Sequence, residues 1–96
     1  MRVLLPLTLL FAAVPAVAGA APLMKAAPQA AVEGRILTKG AAWTCVDGTC
    51  RTVSDASRPS ILCERLVKEV GTLASFVVDD KPMDEAELAK CNAKTR

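Results

Sequence analysis

The chain has 96 residues, four cysteines, no histidine and a net charge of +2, with apolar residues at 52% and aromatic ones at only 3%. Without histidine, the most frequent general base, the Ser-His-Asp and Cys-His arrangements and the commonest metal ligand are all missing. The charges are interspersed, as in Glu64-Arg65 and Lys68-Glu69, so the chain lacks the one-sided basic block with interleaved aromatics that a nucleic-acid partner calls for.

Arg2 is followed by an almost wholly apolar run, Val3 to Val17, and then by small residues that satisfy A-x-A at Ala16-Val17-Ala18 and at Ala18-Gly19-Ala20. That is the pattern of a secretory signal peptide. A membrane-spanning helix needs about 20 apolar residues, whereas this run is shorter and is interrupted by Pro6 and Pro15. Residues 1–18 are therefore expected to be removed, with cleavage after Ala18 or Ala20, leaving no integral membrane anchor in a periplasmic or secreted mature chain. Arg2 is the one charge lost, so the net charge falls from +2 to +1.

Residues 19–30 are rich in alanine, with Pro22 and Pro28, and read as a flexible lead-in to a single small domain over 31–96. Val32 to Lys39 carries β-branched and apolar residues that suggest a strand. Trp43-Thr44-Cys45-Val46, Asp47-Gly48 and Thr49-Cys50-Arg51-Thr52-Val53 predict a hairpin with a type I′ turn, since Gly tolerates the positive φ required. A two-residue loop sets Val46 against Thr49 and Cys45 against Cys50.

A helix is expected next, with Ser57 as its N-cap, Pro59 in its first turn and Gly71 at its end. Leu62, Cys63, Leu66, Val67 and Val70 form its apolar stripe, with Glu64–Lys68 and Arg65–Glu69 as i,i+4 pairs on the other face. Leu73 to Val78 reads as a strand and Asp79-Asp80-Lys81-Pro82 as a turn. A second helix has capping-box spacing at Asp84 and Glu87, with Met83 placed to staple onto Leu88. The predicted class is α+β in the order β-ββ-α-β-α, an antiparallel hairpin sheet with two helices packed on it. The expected core is Ile36, Trp43, Val53, Leu62, Leu66, Val67, Val70, Leu73, Phe76, Val78 and Leu88. That is thin for a domain of this size, and covalent staples make physical sense.

Four cysteines allow three pairings. The hairpin register favours Cys45–Cys50, and the two helices favour Cys63–Cys91. Against two structural disulfides stand a four-thiolate zinc site and a redox-active pair. The long interval between Cys63 and Cys91 does not suit zinc knuckles, and there is no C-x-x-C. Asp79-Asp80 and Asp84-Glu85 are explained as a turn and a helix N-terminus, and they lack the spacing of a calcium loop. No catalytic, cofactor-binding or metal-ligating residue is therefore predicted. Trp43 shares a face with Cys45, which points to packing but leaves it a candidate recognition aromatic. Arg51 and Arg58 are candidate anion contacts, so Trp43, Arg51 and Arg58 are the possible surface contacts.

Trp43-x-Cys45, Cys50, Ser57-Arg58-Pro59, Cys63-x-x-Leu66 running to Val70-Gly71, Ser75-Phe76 and Leu88-x-x-Cys91-Asn92 together resemble the small, uncharacterised exported proteins of alphaproteobacteria, over about residues 41–93. The resemblance implies export and four patterned cysteines, and it carries no assigned activity from which site residues could be transferred. Members often have Gly at the second position of the turn that Asp80 occupies here. The functional expectation is an exported, non-enzymatic module that contacts an unknown protein or envelope component. The alternative is a redox-active or enzyme-accessory protein working through Cys45–Cys50.

Overall fold

A computed structural model describes residues 20–96, and the expected export signal at residues 1–18 lies outside them. The elements in chain order are β1 (Leu23–Pro28), β2 (Gly34–Thr38), β3 (Ala41–Val46), β4 (Thr49–Val53), α1 (Pro59–Val70), β5 (Leu73–Val78), β6 (Lys81–Pro82) and α2 (Glu85–Asn92). The strands form one antiparallel sheet in the order β2-β3-β4-β1-β5-β6. Both helices cover one face of it, and the fold is α+β as predicted.

The hairpin forms as its turn dictates. Asp47 and Gly48 both have positive φ, 54° and 82°, and Val46 opposes Thr49 while Cys45 opposes Cys50. The inward side chains of the sheet meet the helical stripe. Met24, Trp43, Cys45, Cys50, Leu62, Cys63, Leu66 and Val67 are all fully buried. Trp43 meets Phe76 edge to face at 6.0 Å between ring centroids, an arrangement the ring quadrupoles favour.

Five expectations are corrected. The supposed lead-in contains β1, which lies between β4 and β5 and pairs with both. Met24 and Ala26 on it belong to the core. Its alanines and Pro28 gave a poor strand signal, but two flanking strands supply hydrogen-bond partners on both sides. Val53, expected inside, is 62% exposed, because it has the parity of Arg51 and points away from Cys50 and Thr52.

The N-cap of α1 is Arg58, one residue later than expected, with Pro59 at the first helical position. Ser57 instead accepts a bond from Arg65 Nη1 (3.3 Å), and the same nitrogen donates to the Lys39 carbonyl (2.9 Å). Arg65 is thereby drawn to the β2–β3 turn, and Glu69 pairs with Arg96 (3.8 Å) rather than with Arg65. Finally, Asp84 does stand at the N-cap of α2 but makes no side-chain capping bond. Its intended capping-box partner Glu87 bonds Lys90 at 3.4 Å.

The β5–β6 connection is a second two-residue loop, with Val78 opposite Lys81. Asp79 and Asp80 both take positive φ, 48° and 70°, a conformation that costs an L-residue energy and Gly little. Asp79 Oδ1 accepts the Leu23 N–H (2.9 Å), whereas Asp80 makes no such bond among the described residues. Asp80→Gly is therefore expected to raise stability by roughly 0.5–1 kcal/mol. Urea unfolding checks this, and a lower midpoint would contradict the turn geometry.

Candidate functional site

All four cysteines are consumed in two disulfides, Cys45–Cys50 with its Cα atoms 3.9 Å apart and Cys63–Cys91 at 6.0 Å. These are the two favoured pairings, and they leave no free thiolate for a zinc site. Cys45, Cys50 and Cys63 have no exposed surface and Cys91 has 1%. The hairpin disulfide lies on the inner face, between Gly34 of β2 and Ala26 of β1 in the cross-strand register. It is part of the core.

Trp43 is likewise enclosed at 0% exposure, so it is not a surface contact. Its indole N–H donates to Thr38 Oγ1 (3.3 Å), which satisfies the one polar atom that burial would otherwise strand. Arg51 and Arg58 are both exposed, but the fold separates them. Arg51 points from the sheet surface opposite the helices, while Arg58 sits at the start of α1 and turns its carbonyl to the N–H groups of Ile61 and Leu62. They form no common anion site.

Asn92, which the sequence offered only as part of a motif, has a structural role. The Leu73 N–H donates to Asn92 Oδ1 (2.9 Å), and Asn92 Nδ2 donates to the Leu73 carbonyl (3.0 Å). The side-chain amide acts as a substitute strand, covering the edge of β5 where the two-residue β6 has run out. The pairing also docks α2 onto the sheet. Asn92→Ala would leave a donor and an acceptor of a part-buried backbone without partners, and is expected to cost about 1–3 kcal/mol. Unchanged urea midpoints would show that water replaces the amide there.

The surface with a chemical character of its own is the outer face of the sheet, which no helix covers. Register brings Arg35 on β2 opposite Thr44 on β3, Thr44 opposite Arg51 on β4, and Arg51 opposite Lys25 on β1. Three cations thus share one row across four strands. None of them is in an ion pair among the described residues, where the pairs are Lys90–Glu87 and Arg96–Glu69. The large apolar side chains that are exposed among the described residues, Leu37 at 71%, Val53 at 62% and Val46 at 50%, all lie on this same face. Among the exposed carboxylates at the strand ends, which include Asp47, Asp55 and Asp80, Glu33 accepts the Asp47 N–H (3.1 Å) and Asp79 accepts that of Leu23. Among the described residues the surface carries no pocket.

Fold and site together define a small two-layer α+β domain stapled by two buried disulfides, with an open sheet face that is both cationic and aliphatic. The model of a family of unknown function (DUF8200) matches residues 7–93, and the chain belongs to that family. No curated protein matches it, and neither does any solved structure. Two disulfides in so small a domain are compatible with an oxidising environment. No helix among the described residues is long and apolar enough to cross a membrane.

Proposed function

We propose that this protein is an exported, non-enzymatic binding module, periplasmic or secreted, that associates with a component of the cell envelope through the outer face of its sheet. It would be one of the small exported proteins of alphaproteobacteria that its cysteine pattern resembles. The observation that carries the reading is the coincidence of three unpaired cations with the three exposed aliphatic side chains on a single face. Lys25 directly opposite Arg51 is a like-charge pair, which weakens a sheet. A fold that keeps such a pair uncompensated on its two central strands is giving up stability at a surface with another use.

The position of the disulfides supports the same assignment. A thiol–disulfide function needs access to the attacked sulfur, and Cys45 and Cys50 are fully buried. Their bond is read as a staple of the core.

The test is envelope fractionation of the mature protein beside a Lys25→Glu/Arg51→Glu variant. Wild type should sediment with the envelope fraction and the variant should be released. Equal sedimentation of the two would overturn the role of this face. A redox titration against glutathione examines the disulfide. A Cys45–Cys50 midpoint below about −300 mV marks a structural bond. One in the glutathione range would transfer the role to the disulfide.

A further inference from the structure

The partner that this face fits is a matter of its chemistry. We infer that the outer face of the sheet is a peripheral docking surface for an anionic lipid bilayer, with Lys25, Arg51 and Arg35 meeting the headgroups and Leu37 and Val53 resting at their boundary with the acyl chains. The inference rests on the envelope-binding reading and specifies its partner.

Charge complementarity selects the occupant. A second copy of the chain would set one cationic row against another. The chain's own residues 1–18 hold no acidic residue to answer three cations. An acidic protein is the serious rival. Strands about 4.8 Å apart, with outward residues about 6.8 Å apart along each, give the cationic and aliphatic rows an area of about 260 Å². That is about a third of the roughly 800 Å² per partner of a stable protein interface. Protein interfaces also concentrate their affinity in aromatic or Arg anchors seated in pockets. Here the face holds no aromatic residue, and the described surface has no pocket.

A planar array of phosphates requires neither a pocket nor a large area. The three cations have long, flexible stems, so their charged heads can turn back to headgroup oxygens while the shorter Val53 and Leu37 side chains rest at the boundary with the acyl chains. Leu37, Ala42, Val53 and Leu23 form a second row beside the cationic one. The layout therefore pairs a basic stripe with a parallel aliphatic stripe.

The experiment is cosedimentation of the mature, oxidised protein with vesicles of equimolar phosphatidylglycerol and phosphatidylcholine, against vesicles of phosphatidylcholine alone. Wild type should partition onto the anionic vesicles and lose that binding at high salt. Each cation near such a surface changes partitioning about fivefold, so Arg51→Gln should weaken it about fivefold and Lys25→Gln/Arg35→Gln/Arg51→Gln about a hundredfold. A Lys90→Gln/Lys94→Gln/Arg96→Gln variant removes the same number of charges from the C-terminal tail and should bind nearly as wild type. Thermal midpoints check the fold, and relief of the Lys25–Arg51 repulsion should leave the midpoint of Lys25→Gln equal to wild type or higher.

Three results would overturn the inference: no binding to anionic vesicles at low salt, equal binding to neutral ones, or equal losses from the face and tail variants. If vesicles fail while envelope association persists and still depends on Lys25 and Arg51, the lipid assignment falls. The binding module then stands, with an acidic protein as its partner. If the Lys25→Glu/Arg51→Glu variant also stays with the envelope, both fall.

Discussion

A chain that starts at Ala31, lacking β1, is expected to show no cooperative thermal or urea transition. β1 supplies hydrogen bonds to β4 through Leu23–Val53, Met24–Thr52, Lys25–Arg51 and Ala26–Cys50, and to β5 on its other side. Removing it would expose two strand edges in the middle of the sheet and take Met24 and Ala26 out of the core. Loss of a buried Met side chain alone costs about 2–5 kcal/mol, and each ladder bond adds about 0.5–1.5 kcal/mol. The total is as large as the 5–15 kcal/mol or so that keeps a typical domain folded. A milder variant tests the same placement: Ala26→Asp sets a carboxylate between Cys50 and Phe76, at a position 1% exposed. Circular dichroism should report an unfolded chain for the deletion and a severely destabilised one for Ala26→Asp. A native melt from the chain starting at Ala31 would return residues 19–30 to the status of a lead-in.

The second large effect belongs to the helix-to-helix disulfide. The eight residues of α2 are too few to be stable alone in water. The helix is held by Cys63–Cys91, by Met83 and Leu88 packed against the core, and by the Asn92–Leu73 pairing. With the bonded cysteines 28 positions apart in sequence, the chain-entropy account assigns this bond about 3.5 kcal/mol. Cys63→Ser/Cys91→Ser should therefore melt lower by about 15–25 °C for a domain of this size, with proteolysis entering first at α2. The Cys45–Cys50 bond closes a much shorter loop, one already favoured by Asp47-Gly48, so Cys45→Val/Cys50→Val should lose about 2 kcal/mol. Equal midpoints for the two double variants, or an unchanged midpoint for Cys63→Ser/Cys91→Ser, would count against this division of labour.

The contrast between these bonds parallels what could be read without a structure. Cys45–Cys50 was legible because a two-residue turn sets the register of its own hairpin, and Cys63 and Cys91 fell on the apolar sides of their helices. The stripe of α1 and the stop at Gly71 were legible for the same local reason. Helix ends were less so: Arg65 was claimed by the Lys39 carbonyl and Ser57, and the capping box of α2 lost Glu87 to Lys90. Those outcomes depend on which neighbour a long side chain finds.

Within the sequence alone lay the α+β class, the two disulfides, the hairpin and the first helix, because each is governed by residues a few positions apart. The outward position of Val53 was there too, in its shared parity with Arg51. Only the tertiary structure could decide that Leu23–Pro28 is a strand, since alanine and proline have low β-propensity and it is β4 and β5 that hold the segment extended. Trp43 was expected in the core and kept as a candidate recognition aromatic, and Phe76 and the helical layer decided it for the core. The tertiary structure also assembled the outer face, because Lys25, Arg35 and Arg51 are far apart along the chain and become one cationic row only when strand order and register are set.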